Sequence, residues 1–199
     1  MTRFELINKL IVKNNYKKYL EIGVALGDCF REIKCEKKYG VDPSTGVEIS
    51  HHITSDEFFE EHAPTIGKFD IIFIDGLHHS TQVDRDIKNS LNYLNEDGTI
   101  ILHDCNPLTK GSQEVPQIQA HWHGDVWKSI VRFRNSSDIG CVVIDTDCGL
   151  GVINKNLPKG KKFELPSNLT YEWLSENRKD VLNLISVEDI INIMDLNQH

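Results

Sequence analysis

The sequence has no C-x-x-C pair. Its five cysteines (Cys29, Cys35, Cys105, Cys141 and Cys148) are odd in number and irregularly spaced, which argues against both a zinc framework and a disulfide framework. A reducing, cytosol-like compartment is the expectation. No apolar run reaches the ~18–20 residues that a membrane helix needs. The polar start, Met1-Thr2-Arg3-Phe4-Glu5, carries no signal-peptide apolar segment. A cytoplasmic protein without a membrane span is therefore expected. Basic charge is scarce as well: 22 Lys and Arg against 30 Asp and Glu leave a net of −8. That weighs against a nucleic-acid partner, because such binding rests on phosphate neutralisation by Lys and Arg. Internal repeats and low-complexity tracts are absent. What is present is 199 residues, 39% apolar and 26% charged, ordinary values for one domain able to bury its own core. A single domain over 1–199 is expected, with an N-terminal helix over 1–15 and a helical C-terminal extension over 165–199.

Apolar spacing sets out the elements. Phe4, Leu6, Ile7, Leu10 and Ile11 form one helical stripe. Tyr19 to Gly23 reads as a strand entering a glycine turn, and Asp28 to Lys34 as a helix. Tyr39 to Val41 is a short strand ended by Asp42-Pro43. Ser55 to His62 reads as a helix behind a polar cap. Phe69 to Ile74 is a continuous apolar strand, suited to cover on both faces. A helix over Ser80 to Leu94 follows, then a turn at Asp97-Gly98 and a strand over Thr99 to Leu102. A helix over Asp125 to Phe133, strands over Ile139 to Ile144 and Leu150 to Ile153, and a helical pattern over Tyr171 to Leu196 complete the chain. Strands alternating with helices predict an α/β fold around a parallel sheet. Ligands then sit beyond the carboxyl ends of the strands, where Gly23, Asp42, Asp75, His78, His103 and Asp104 fall.

Four groups of residues carry chemistry. In Glu21-Ile22-Gly23-Val24-Ala25-Leu26-Gly27, Gly23 and Gly27 allow a sharp turn and close backbone approach to a ligand. Asp42, nineteen residues after Gly23, can accept both hydroxyls of a ribose. Glu21 stands where a G-x-G-x-x-G motif has its first glycine. An anion there repels a pyrophosphate and suits a ligand with a cationic amino-acid end. A plain strand-to-helix turn is the competing reading. Second, Asp75-Gly76-Leu77-His78-His79 and His103-Asp104 end neighbouring strands. Asp75 and Asp104 can share a hard divalent cation through oxygen, with His103 adding a nitrogen that favours manganese over magnesium. His78 is placed to act as a general base beside it. Helix capping by the aspartates and surface histidines are the alternatives. Third, Ser55 and Asp56 can hydrogen-bond an adenine, or merely open a helix. Fourth, the loop His121-Trp122-His123-Gly124-Asp125-Val126-Trp127 offers an aromatic, polar surface for an acceptor, with His79, Trp122, Asp125 and Trp127 as substrate contacts. Trp127 packed in the core and Asp125 as a cap are equally open.

Taken together, Glu21-x-Gly23-x-x-x-Gly27, Gly40-Val41-Asp42-Pro43 and Thr54-Ser55-Asp56-x-Phe58-Phe59 resemble the cofactor half of class I S-adenosylmethionine-dependent methyltransferases. Phe69 through His78, then Asp97-Gly98 through Pro107, narrow the likeness to the small-domain group that acts on sugars in glycan, lipopolysaccharide and antibiotic pathways. The resemblance covers about Tyr19 to Ile153. It implies a Rossmann-like doubly wound seven-stranded sheet, mostly parallel with the last strand antiparallel, and helices on both faces. It further implies S-adenosylmethionine over Gly23 and Gly27, with its ribose on Asp42 and its adenine near Ser55 and Asp56. Asp75 also belongs to the implied cofactor contacts. An Asp-x-x-His at one strand end supplies metal ligand and base in similar sugar O-methyltransferases, which maps onto Asp75 and His78. The next strand end carries two acidic residues in that group, and here it reads His103-Asp104. The expected activity is methyl transfer to a hydroxyl of a sugar or glycan acceptor, assisted by Mg2+ or Mn2+. A metal-independent small-molecule methyltransferase is the first alternative, followed by a non-catalytic glycan- or nucleotide-binding module. A nicotinamide oxidoreductase is disfavoured by Glu21 and the missing glycine pattern. The C-terminal helices leave a homodimer contact open.

Overall fold

The structure is a computed structural model and describes residues 1–196. Strands β1 (Lys18–Ile22), β2 (Lys37–Val41), β3 (Phe69–Ile74), β4 (Leu94–Leu102), β5 (Cys141–Ile144), β6 (Leu150–Ile153) and β7 (Leu184–Ile185) form one sheet in the order β2-β1-β3-β4-β6-β5-β7. Strand β6 runs antiparallel to both neighbours, and every other pairing is parallel. The seven strands with one reversed member agree with the expected mixed sheet. The reversed strand is sixth in the chain. The seventh is a two-residue edge strand within the stretch whose pattern reads as helix throughout.

Eight α-helices accompany the sheet among the described residues: α1 (Arg3–Asn14), α2 (Asp28–Glu32), α3 (Ser55–Glu57), α4 (Ala63–Ile66), α5 (Ser80–Asn92), α6 (Val126–Ser136), α7 (Tyr171–Val181) and α8 (Val187–Ile193). Alternation along the central strands assigns them to two layers. Tyr19, Ile71 and Phe73 face Leu6, Ile7 and Leu10 of α1 and Ile190 of α8. Leu20, Ile22, Ile72 and Ile74 face Val83 and Ile87 of α5, Trp127 and Ile130 of α6, and Leu174 of α7. The expected extension over 165–199 contains α7, β7 and α8, and its last three residues lie outside the described residues.

Local chemistry explains the element ends. Thr2 and Glu5 form a capping box on α1, and Asn15 closes it in the left-handed region at φ 53°. The helix expected over Ser55 to His62 starts with a second capping box, Thr54 with Glu57. It then widens into a π turn over Phe58–His62 before α4. Pro64, in the first turn of α4, has no N–H to continue the regular ladder. Strand β4 begins five residues earlier than the pattern suggests. Its pairing with β3 jumps from Phe69↔Leu94 to Ile71↔Thr99, so the expected Asp97-Gly98 turn is an irregularity inside the strand.

Candidate active site

The parallel strands deliver their carboxyl ends to one rim. Gly23 follows β1 with φ +86°, and a Cβ there would lie 2.2 Å from the Asp75 carbonyl oxygen. Only glycine lets the ends of β1 and β3 approach this closely. Beside it opens a cavity of about 530 Å³, lined by Gly23, Asp42, Ser55, Asp56, Asp75 and His78 among others. Five of the seven expected cofactor contacts therefore surround one space. A second cavity of about 320 Å³ shares Gly23, Asp75 and His78 with the first and adds Glu21, Arg3, His103 and Asp104. Gly27 shapes the intervening turn instead, with φ +80° as the N-cap of α2.

The polar groups of these cavities are held firmly. Asp42 accepts from the backbone N–H of Ala25 and of Ser44, each at 2.8 Å. Burial alone would raise its carboxyl, but these hydrogen bonds outweigh it and lower the pKa. Each oxygen keeps a lone pair for a ribose hydroxyl. Ser55 Oγ donates to Asp86 at 2.7 Å and accepts from Gln82 at 3.1 Å. Asp56 accepts from Gln82 and Arg85. Glu21 is 1% exposed and accepts a hydrogen bond from Tyr19. Burial, reinforced by Asp75, pushes its pKa up to about 7. A ligand ammonium would favour its ionised form, and this buried carboxylate over Gly23 fits the cationic end of S-adenosylmethionine.

The charged centre lies at the ends of β3 and β4. His78 Nε2 is 3.4 Å from Asp75 Oδ1, and His78 Nδ1 is 3.2 Å from Asp104 Oδ2. The second contact lacks hydrogen-bond alignment, so Nδ1 is buried without a hydrogen-bond partner. Ligand atoms of Asp75, His78 and Asp104 fall within 4.8 Å of one another, a donor set that fits a divalent cation. Asp104 adopts φ 60° to reach this point, a strained conformation of the kind found at functional sites. His103 Nδ1 stands 3.2 Å from both Asp75 and Asp104, and its Nε2 is 3.4 Å from Asp147. Burial opposes its charge, but hydrogen bonds to Asp104, Asp147 and Asp75 prevail and hold it well above the usual imidazole range. As an imidazolium, His103 ties the carboxylates together, and it becomes a metal ligand only by giving up a proton. For His78, burial lowers the pKa, while Asp75 and Asp104 raise it to a net upward shift.

The expected acceptor contacts separate. Trp122 stacks on His78 with ring centroids 5.3 Å apart, and His79 meets the same indole edge-on at 6.1 Å. Asp125 is occupied by Ser80, accepting from its backbone N–H at 2.6 Å and its hydroxyl at 3.0 Å. It thus holds the start of α5. Trp127 corrects the expectation: it is 0% exposed, and its indole N–H donates to Gln113 inside the core, so it offers no face to a ligand. Gly124 carries the loop across His78. A Cβ there would lie 1.9 Å from the His78 carbonyl oxygen, to which Asp125 N–H donates at 3.1 Å.

Sequence reading missed Arg3, Asp147 and Gln82. Arg3 Nη1 donates to Asp147 Oδ1 at 3.0 Å, a contact across 144 residues that no local pattern announces. Gln82 lines the larger cavity from the first turn of α5. Its place, four residues before the buried Asp86 on one helix face, is the only signal it leaves.

Comparison with known proteins agrees with this geometry. Residues 20–105 match a family model described as a methyltransferase domain. No curated protein matches the chain. Among solved structures, an O-methyltransferase from Bacillus cereus in complex with SAH superposes with a TM-score of 0.58 at 13% identity, over 77% of this chain and 80% of that one. TomG, an O-methyltransferase from Streptomyces achromogenes involved in tomaymycin synthesis and bound to SAM, gives 0.57 at 14% identity, over 76% and 78%. MycE, from the mycinamycin biosynthetic pathway and in complex with Mg, SAH and mycinamycin VI, gives 0.51 at 16% identity, over 82% of this chain but 50% of its own. Residues 20–105 thus match the methyltransferase-domain model, and the chain as a whole has the fold of the O-methyltransferases.

Proposed function

We propose that this protein transfers a methyl group from S-adenosylmethionine to a hydroxyl of a sugar in a glycan or glycoconjugate. The observation that carries the reading is His78: Asp75 faces its Nε2, and its Nδ1 is buried without a hydrogen bond. Asp75 and Asp104 stand beside its two ring nitrogens and raise its affinity for a proton, which suits the imidazole to take one from an acceptor hydroxyl. Glu21, Gly23, Asp42, Ser55 and Asp56 would bind the donor, with its amino-acid end at Glu21 and its ribose at Asp42. The sulfonium is already reactive, so these residues chiefly align it with the acceptor oxygen. Asp75 and Asp104 would hold a divalent cation, whose chemistry when bound is to lower the acceptor hydroxyl's pKa. Magnesium in the MycE complex supports that assignment. Trp122, packed on His78, gives a sugar ring an apolar platform.

A second reading, metal-independent transfer, is favoured by one feature. His103 spans Asp75 and Asp104 with a positive charge of its own. One experiment addresses both readings. Methyl-labelled S-adenosylmethionine is offered with a panel of sugars and glycans, in magnesium, in manganese and in EDTA. Label should enter a sugar hydroxyl, and His78→Ala should lose at least about 10²-fold in turnover while still binding S-adenosylhomocysteine. Full turnover in His78→Ala removes the base, and equal rates in EDTA select the metal-independent reading.

A further inference from the structure

The loop between β4 and α6 carries a His-x-His pattern, His121-Trp122-His123, and it passes beside Cys148 in the turn between β5 and β6. Ligand atoms of His121, His123 and Cys148 lie within 4.8 Å of one another. All three side chains line a cavity of about 200 Å³, separate from the two described above. His123 is 2% exposed, and its Nδ1 is buried without a hydrogen-bond partner. Its Nε2 faces Asp104 at 3.8 Å, and its backbone N–H donates to Ser112 at 2.7 Å. The imidazole is thus buried with its Nδ1 unsatisfied, and unsatisfied buried nitrogens are rare.

We propose that His121, His123 and Cys148 bind a soft divalent cation of the zinc type. Two imidazoles and a thiolate form a donor set that zinc prefers and magnesium does not. Asp104 Oδ1 stands 3.8 Å from His123 Nε2, the nearest carboxylate that could become the outer partner of a metal-bound His123. Cys148 also lies within reach of His103 and Asp104. Both nitrogens of His103 already face carboxylates, so the His-x-His imidazoles are the available donors. On binding, the Cys148 thiol loses its proton to the buffer and coordinates as thiolate. Three protein ligands leave a fourth position for an exchangeable group. The ion would fasten the 105–124 loop to the β5–β6 turn, and Trp122, between the two histidine ligands, would be fixed over His78. The metal site does not depend on the proposed reaction.

Cobalt titration without oxygen tests the site. One equivalent of Co2+ per chain should produce the intense visible bands of a tetrahedral ion and a near-ultraviolet thiolate-to-cobalt charge-transfer band. Zn2+ should then bleach both. Cys148→Ser should abolish the charge-transfer band, and His121→Ala should weaken cobalt binding by more than about tenfold. Asp75→Asn should leave the spectrum intact. The proposal is overturned if wild type shows no thiolate band, or if the band survives Cys148→Ser. It is equally overturned if His121→Ala binds as tightly as wild type. Should Cys148→Ser fail to fold, alkylation of the wild-type chain decides: Zn2+ must slow iodoacetamide labelling of Cys148, and unchanged labelling rejects the site.

Discussion

Trp122 and Trp127 stand five positions apart, and their surroundings divide them. Trp127 is sealed among Val83, Ile130 and their neighbours on the inner side of α6. Trp122 lies on the loop, stacked on His78, with its indole N–H donating to the Glu114 carbonyl at 2.6 Å. Trp127→Ala removes a fully buried ring, which costs about 3–5 kcal/mol, or a fall in Tm of about 6–20 °C for a chain of this size. Trp122→Ala should shift Tm by only a few degrees and raise the acceptor KM in the labelled-methyl assay. Thermal melts of the two variants, with kinetics on the second, check the pair. A large stability loss at Trp122 with unchanged KM would make it a second packing residue. Sequence alone could not choose between the two tryptophans, because helical spacing says that a face is buried only where the neighbouring elements are known.

Helix α1 is an element whose importance emerges only in three dimensions. Its apolar stripe was legible from Leu6, Ile7, Leu10 and Ile11, while its place against Tyr19, Ile71 and Phe73 of the sheet came from the structure. What the stripe does not reveal is that its first turn docks on the β5–β6 turn. Arg3 donates to Asp147 through its backbone N–H at 2.7 Å and its guanidinium at 3.0 Å, and Thr146 bonds the Met1 carbonyl at 2.8 Å. Such long-range pairing leaves no periodic trace. The strand ends did leave one, since Gly23, Asp42, Asp75 and His103-Asp104 each close an apolar run. The seventh strand left none, because two residues, Leu184 and Ile185, are too short to show alternation. The Arg3–Asp147 contact has a consequence for acid stability. Burial would raise the Asp147 carboxyl, but His103 and Arg3 outweigh it and bring its pKa down to about 2. A depressed carboxyl contributes stability that is present above its unfolded value of about 4 and is lost as pH falls through about 2. The contribution is about 1–2 kcal/mol. Asp147→Asn should therefore melt below wild type at pH 6, and the gap should narrow from pH 5 down to pH 2. A gap that stays constant over that range would show that the charge of Asp147 is not what holds α1 down.

At the scale of the whole molecule, the two cavities meet over Gly23, Asp75 and His78, so one bound ligand would bridge β1, β2, β3 and the start of α5. A ligand that binds only the folded chain stabilises all of it at once. S-adenosylhomocysteine at a hundred times its dissociation constant should add about 2.7 kcal/mol, or about 5–11 °C in Tm, while NADH should add nothing. Removing the ribose acceptor should largely erase the shift, so Asp42→Ala serves as the internal control. Magnesium or manganese added with the nucleoside should raise Tm further if Asp75 and Asp104 take the ion, and that increment should vanish in Asp104→Asn. His103 sharpens the comparison. Its imidazolium already lies between those carboxylates, so a cation must displace that charge and release a proton. The metal increment should therefore grow as pH rises from 6 to 8, while the S-adenosylhomocysteine increment alone stays nearly level. Calorimetric melts at three pH values separate the outcomes. A metal increment independent of pH would mean that the ion binds without disturbing His103. No increment at any pH would leave the carboxylates to the histidines and the transfer to His78 alone.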